Sequence, residues 1–252
     1  MIDVGPLAQF GVLLVRPGML VATAPPFGGA SAPSQIKIGL TVFLTLMLMP
    51  IVRVPDVGAS VSLAMIVLRE MAIGVALSLS IRALIAGAEL AGSLSGTQVG
   101  LSMGAIVNPQ SGVRNNVLAV LYANLTLLTF LGLNGHHALI RTLATSYDTM
   151  PIGVGHIDAS IVKSVTELLG LVFMIGVRLA MPIIVVLLVV ELAMGLLSRA
   201  APMLNLMTVG MPVRLIIGLL VVAAVISVAP SVIARFTPVA MDISVRAARA
   251  FR

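Results

Sequence analysis

The stretch LIIGLLVVAAVISVAPSVIA, residues 215–234, decides the fold class, because it runs for 20 residues without a charge. The hydrocarbon layer of a membrane is about 30 Å thick, and roughly 20 helical residues cross it. A second uncharged stretch covers residues 115–135, and residues 168–190 carry one charge, Arg178. In lipid the backbone must pair internally, and continuous apolar runs favour helices over a barrel. The sequence therefore predicts an all-α, polytopic membrane protein.

The composition of the whole chain agrees with this prediction. Of its 252 residues, 59% are hydrophobic and only 10% are charged, whereas soluble domains are about 25% charged. The net charge of +6 comes mostly from isolated arginines, which is typical of membrane-edge anchors and interhelical partners. A nucleic-acid site would show a basic patch with aromatic residues, so no nucleic-acid partner is expected. Cysteine is absent, which excludes disulfides and thiolate metal sites.

Prolines and glycines divide the chain into helical segments, because proline removes a backbone donor and restricts the residue before it. The proline-free stretch 57–108 is too long for one crossing, so it forms either two elements or one long bent helix. Residues 134–163 are predicted to form a short helix and a loop. The other predicted helices cover residues 4–22, 35–49, 113 to about 133, 164–199 around Pro182, and 212–233.

The C-terminal tail, residues 238–252, is predicted to form a short basic amphipathic helix. Asp242 and Arg246 stand four residues apart in it, a spacing that favours an ion pair on a helix. No linker in the chain is long or polar enough to separate two domains. The sequence therefore predicts a single membrane domain over residues 1–252.

Four glycines recur at every fourth residue: Gly92, Gly96, Gly100 and Gly104. Residues four apart lie on one ridge of a helix, and a ridge of small residues lets another backbone approach closely in a membrane. Each glycine costs a helix about 1 kcal/mol relative to alanine, so four in register indicate a packing role. We predict a tight interface with another helix or subunit at this ridge; a flexible, bent helix is the alternative.

Two motifs resemble parts of a hydrolase site and of a metal site, but the sequence lacks the neighbouring residues that either site requires. Residues 100–104, Gly-Leu-Ser-Met-Gly, match the G-x-S-x-G pattern of hydrolases, which requires a preceding strand and a nearby histidine and acid. His136 and His137 are adjacent, so they cannot share one metal as an i, i+4 pair on a helix does. We expect no catalytic residue, no metal site and no cofactor.

Arg178 and Glu191 lie deep in apolar sequence. A charge at the bilayer centre costs about 2.5–3.5 kcal/mol on insertion scales, so such residues usually face a polar cavity or a partner. Their spacing places them on roughly opposite faces of a helix, so we expect them not to pair with each other. A proton-coupled transporter and a subunit with partners on neighbouring chains both fit these two charges.

A set of motifs in a fixed order runs through the chain. Residues 188–202, LVVELAMGLLSRAAP, are followed by Asn205 and by Val-Gly-Met-Pro at 209–212. The upstream motifs begin with Arg16 and Ala24-Pro25. They continue with Ala91-Gly92, with Gln98-Val-Gly-Leu-Ser and Asn108-Pro109, and with Asn134-Gly135-His136 leading to residues 150–153. In order and spacing these motifs resemble the FliR family of flagellar export subunits.

The resemblance implies a core subunit of the flagellar type III protein export gate, with helical hairpins packed into a helical assembly. Such a subunit forms and closes the channel across the bacterial inner membrane at the flagellar basal body. The implied partners are FliP- and FliQ-like subunits, FlhB- and FlhA-like components, unfolded flagellar export substrates and membrane lipid. The resemblance also implies a loop that plugs the closed pore, formed by Ile106, Val107, Asn108, Pro109, Gln110, Ser111, Gly112, Val113, Arg114, Asn115 and Asn116.

The chain departs from the family pattern at three positions. Asn108 stands where an aspartate is frequent, Ser93 where a glutamate is common, and Glu191 where some relatives have asparagine. No titrating carboxylate is therefore assigned to the plug. Two other functions fit the residues: a homologous subunit of a virulence injectisome, and a proton-coupled small-molecule transporter using Arg178 and Glu191.

Overall fold

The computed structural model describes residues 5–28, 33–52, 63–101, 116–153, 158–200 and 206–251. Every regular element in these ranges is an α-helix, which confirms the all-α prediction. The helices are α1 Gly5–Thr23, α2 Pro25–Gly28, α3 Ser34–Leu48, α4 Leu63–Val99, α5 Val117–Gly132, α6 Gly135–Thr149, α7 Ser160–Ala200 and α8 Leu206–Arg249.

Three of these helices, α4, α7 and α8, are long and apolar enough to cross a membrane. The α5–α6 pair, which is bent by 67°, would be a fourth span if it crosses as one unit. The 18-residue apolar stretch of α4 that could cross a membrane is 61% buried within the chain. The corresponding stretches of α7 and α8 are 33% and 28% buried. The α4 helix is therefore mostly covered by its own chain. The apolar surfaces of α7 and α8 face outward, as expected of a polytopic membrane protein.

The helix boundaries decide between the predicted alternatives. In its described part, residues 63–101, the proline-free stretch forms one helix of 37 residues, α4, and not two elements. Proline interrupts neither α1 at Pro17 nor α7 at Pro182. The predicted break before the basic tail is wrong, because α8 continues for 44 residues to Arg249. The tail is thus the end of α8, and the predicted ion pair is present in it, with Arg246 Nε 3.2 Å from Asp242 Oδ2.

The chain divides into two compact units, and α4, α7 and α8 contribute to both. The first unit comprises Met1–Ala83, Phe130–Leu169 and Thr237–Arg252, and the second comprises Leu84–Thr129 and Gly170–Phe236. The core of the first unit includes the buried side chains Leu13, Leu20, Ile73, Leu77, Leu139 and Leu143. The core of the second includes Leu84, Tyr122, Ile175, Leu179, Ile183 and Val222.

A sharp break in the first unit separates α5 from α6. Asn134 adopts a left-handed conformation there, with φ of 57°, which asparagine tolerates better than most residues. A Cβ on the following Gly135 would lie 2.5 Å from the Phe130 ring. The pair Asn134-Gly135, which belongs to the family-like motifs, is therefore explained by the geometry of this corner.

Candidate functional site

A fully buried ion pair lies in the first unit. Arg16 on α1 donates from Nε to Glu70 Oε2 at 2.7 Å and from Nη2 to Glu70 Oε1 at 3.0 Å. The guanidinium also donates to Ser146 Oγ at 2.7 Å and to the Met150 carbonyl at 2.9 Å. Both charged side chains are 0% exposed, so the bidentate geometry and the extra acceptors are needed to offset their desolvation. The cluster ties α1 to α4 and to the C-terminal end of α6.

Tyr147 completes this cluster. Its ring centroid lies 4.1 Å from the guanidinium carbon of Arg16, a cation–π distance. Its hydroxyl donates to the Leu13 carbonyl at 3.2 Å. That carbonyl would normally accept from the residue four positions later, which is Pro17 and has no N–H. The tyrosine hydroxyl therefore satisfies the acceptor that Pro17 leaves open inside α1.

Replacing Tyr147 by phenylalanine is expected to destabilise the protein by about 1–2 kcal/mol, because a buried carbonyl loses its donor. Tyr122→Phe is the matched control, since the Tyr122 hydroxyl is buried without a hydrogen-bond partner in the described structure. Thermal unfolding of the purified variants in detergent measures both effects. In a Pro17→Ala background the loss at Tyr147 should shrink, because an alanine at that position supplies the missing backbone N–H. Equal effects for the two tyrosines would contradict this role.

Only part of this cluster was predictable from the sequence. Arg16 belongs to the family-like motifs, but Glu70 was not singled out. The two residues are 54 positions apart, and nothing local connects them. A glutamate within the predicted apolar segment was the available signal, since intramembrane charges usually have partners.

Charged side chains also connect the C-terminal end of α8 to other helices of the first unit. Arg69 donates to the carbonyls of Phe251 at 2.5 Å and Pro151 at 3.0 Å. Arg246 Nη2 lies 2.8 Å from Glu167 Oε2. These contacts fasten the basic end of α8 to α4 and to the start of α7.

Two of the four ridge glycines contact α5 and its N-terminus in the second unit. A Cβ on Gly92 would collide with the backbone of Ala119 and Leu118, and one on Gly96 would collide with the side chain of Asn116. Asn116 Nδ2 donates to the Ser93 carbonyl at 3.2 Å, and its Oδ1 accepts from the Leu118 N–H at 3.0 Å. At Gly92 the absence of a side chain therefore permits backbone contact between α4 and α5.

The other two ridge glycines are placed differently. Gly100 follows the last residue of α4 with φ of 93°, and a Cβ there would meet nothing within 4 Å. A positive φ at this position is the usual glycine ending of a helix. Gly104 lies outside the described residues. Close contacts that spacing did not predict occur at Gly87 against Ile175, Gly176 against Leu90, and Gly218 against Val99.

The two predicted intramembrane charges have separate partners in the second unit. Glu191 on α7 pairs with Arg214 on α8, and Arg214 Nη2 also donates to Gln98 Oε1 at 3.1 Å. The guanidinium carbon of Arg178 lies 5.3 Å from the centroid of the Phe236 ring. Arg214 was missed from sequence, although it lies just after the Val-Gly-Met-Pro motif.

A cavity of about 720 Å³ surrounds the Glu191–Arg214 pair. Its described lining comes from the C-terminal end of α4, the C-terminal part of α7 and the first turns of α8. The lining residues are Thr97, Val99, Gly100, Val190, Glu191, Met194, Gly195, Gly210, Met211, Pro212, Arg214 and Leu215. Of the predicted plug, only Asn116 is within the described residues, and residues 106–115 lie outside them.

The fold and these sites define a class, a polytopic helical membrane protein in which several charged groups are paired between helices. Comparison with known sequences gives the family. The chain belongs to the bacterial export proteins, family 1, which it matches over residues 7–238.

Individual relatives span most of the chain. It is 35% identical to the flagellar biosynthetic protein FliR of Escherichia coli over 82% of this chain and 79% of the relative. It is 34% identical to the protein of the same name in Pectobacterium carotovorum, over 89% and 86% of the two chains. The Bacillus subtilis protein of that name is 24% identical over 82% and 81%.

Proposed function

We propose that this protein is a core subunit of the flagellar type III protein export gate, where it helps to form and close the channel for flagellar proteins. The observation that carries the proposal is the family match over residues 7–238. It is supported by relatives at 35% and 34% identity that are named flagellar biosynthetic proteins. A virulence injectisome subunit is the weaker proposal, because these relatives bear flagellar names.

The proposed setting is the bacterial inner membrane at the flagellar basal body, in a hetero-oligomer with FliP- and FliQ-like subunits. FlhB- and FlhA-like components and unfolded flagellar substrates are the other proposed partners. The outward apolar surfaces of α7 and α8 support the membrane setting, because they are too extensive for contact with water. Their exposed residues include Phe173, Met174, Val185, Leu188, Leu192, Leu196, Ile216 and Leu220. The proposal assigns the chain no catalytic activity.

The proposed roles of individual segments follow the resemblance and the contacts of α4. Gly92 and Gly96 serve helix packing, for which the contacts with Ala119 and Asn116 are the support. The segment 106–116 closes the channel at rest, for which the family-like Gln98–Ser102 and Asn108-Pro109 motifs are the support. The paired state of Glu191 argues for a structural and not a proton-carrying role.

Deleting residues 106–116 is expected to leave assembly intact and to make the membrane permeable to small solutes, because the closed channel loses its plug. Uptake of a small impermeant dye by cells carrying the variant measures the leak. Cells expressing equal amounts of the unaltered chain are the control. An assembled deletion variant in an impermeable membrane would contradict the plug assignment.

Isolation of the tagged full chain from its native membrane tests the proposed function. The export-gate proposal predicts a stable complex containing FliP- and FliQ-like subunits. A transporter acting alone predicts substrate uptake into vesicles that contain only this chain, whereas the gate subunit should be inert without partners. Isolation of the chain as a free monomer with uptake activity would overturn the proposal.

A further inference from the structure

The cavity in the second unit combines apolar walls with a polar corner. Val99, Val190, Met194, Met211 and Leu215 form its apolar walls, and Glu191 and Arg214 form the corner. Its volume of about 720 Å³ lies within the range of about 300–1,000 Å³ for small-molecule sites. Methionine side chains adapt to the shape of a ligand, and the cavity has two of them. This arrangement suits a ligand with an apolar body and a polar head.

The polar corner has unused hydrogen-bonding capacity of both kinds. The contacts of Arg214 with Glu191 and Gln98 both use Nη2, and the side chains of Arg214 and Glu191 remain 33% and 45% exposed. The described contact of Glu191 uses Oε1. A guanidinium donor and a carboxylate oxygen therefore remain for an occupant.

The two charges select the chemistry of that occupant. A purely anionic head group would be attracted by Arg214 but repelled by Glu191. A purely cationic head group would be attracted by Glu191 but repelled by Arg214. A zwitterionic head that carries both a phosphate and a primary ammonium matches both groups. Phosphate binds the guanidinium through charge-assisted hydrogen bonds, and an ammonium with N–H donors can do the same with the carboxylate.

The surroundings of the cavity match the rest of a phospholipid. Exposed apolar side chains continue outward from it on α7 and α8, with Leu192 61% and Ile216 60% exposed. At 41 residues, α7 is about 60 Å long, which exceeds the hydrocarbon thickness of about 30 Å. The ion pair lies within about three turns of the end of α7 and the start of α8. The head group would thus bind near the ends of helices long enough to reach beyond the hydrocarbon.

We propose that this cavity is a specific site for one phospholipid with a phosphate–primary ammonium head group, of the phosphatidylethanolamine type. Arg214 binds the phosphate, Glu191 binds the ammonium, and the acyl chains follow the apolar surfaces of α7 and α8. This inference goes beyond the proposed function and does not depend on it, since it concerns the purified chain and requires no export.

Native mass spectrometry of the full chain in mild detergent tests the site, with mixed micelles that contain phosphatidylethanolamine, phosphatidylglycerol or phosphatidylcholine. Selective retention of one phosphatidylethanolamine is expected. Arg214→Gln should weaken its retention about tenfold or more, the usual effect of losing a charge-assisted hydrogen bond. Glu191→Gln should abolish the preference over phosphatidylglycerol. Equal retention of all three lipids by the unaltered chain would overturn the proposal.

A filled cavity provides a second and independent test. Gly195 lines the cavity, and a Cβ there would meet nothing within 4 Å, so Gly195→Leu fills it without a backbone clash. Gly170→Leu is the matched control, because Gly170 lies on the same helix with equally open space and away from the cavity. Loss of the lipid in the first variant alone is expected. Retention in both, or equal loss from both, would refute the site, whatever the outcome for export.

Discussion

Replacing Glu70 by glutamine is expected to destabilise the protein by about 3–5 kcal/mol, because it leaves the charge of Arg16 buried without compensation. The size of the effect follows from the 0% exposure of both side chains. The remaining acceptors, Ser146 and the Met150 carbonyl, are neutral and do not balance the charge. For a chain of this length the midpoint of thermal unfolding should fall by roughly 10 °C. The two measurements are the thermal unfolding of the purified variant in detergent and the amount of the variant in the membrane.

Glu89→Gln is the matched control for this prediction, since Glu89 is an exposed residue of the same helix. It should change the free energy of unfolding by less than about 0.5 kcal/mol. The double variant Arg16→Met with Glu70→Leu should recover most of the loss, because an apolar pair often replaces a buried ion pair without penalty. Ser146 keeps its bond to the Leu143 carbonyl at 2.6 Å in that variant. Equal stability of the two glutamine variants would contradict the buried-pair account.

Gly92→Leu is expected to destabilise the protein by about 3 kcal/mol, at the upper end of typical overpacking effects. A Cβ at this position already collides with the backbone of Ala119 and Leu118, and backbone cannot rotate away as a side chain does. The α5 helix must therefore move or detach from α4. Thermal unfolding and limited proteolysis of the detergent-purified variant measure the two consequences.

Gly170→Leu controls for the gain in helix propensity, which is about 1 kcal/mol when glycine is replaced in an open helix position. Because a Cβ at Gly170 meets nothing within 4 Å, this variant should be neutral or slightly more stable. The same substitution is thus expected to have opposite effects at two helical glycines. Similar destabilisation at both positions would contradict contact with α5 as the cause of the response at Gly92.

The long apolar runs were sufficient to predict an all-α membrane protein, because backbone pairing in lipid leaves few alternatives. Helix ends were harder to predict where proline was taken as a stop. The predicted helix began at Pro212 and the predicted tail at Pro238, whereas α8 contains both prolines and runs from Leu206 to Arg249. A proline disfavours a helix by about 3 kcal/mol, and burial of Phe236, Ala240, Ile243 and Ala247 on either side of Pro238 favours continuation.

Pairings between distant residues could not be predicted from one sequence. The spacing of Gly92 and Gly96 was visible because both lie on α4, but the contact of Gly218 with Val99 joins two helices that are far apart in the chain. Arg178 and Glu191 were recognised as charges that need partners. Their partners, Phe236 and Arg214, are set by the packing of α7 against α8. The family-like motifs supplied the function, which periodicity alone left open between a gate subunit and a transporter.

The most direct test of the central claim is deletion of the gene, followed by assay of the culture medium for flagellar hook and filament proteins alongside swimming. The export-gate account predicts that both secreted proteins and swimming disappear, and that a plasmid copy of the unaltered gene restores them. Continued secretion of hook and filament proteins by the deletion strain would contradict the account. Loss of a different set of secreted proteins with swimming intact would contradict the flagellar assignment and favour an injectisome subunit.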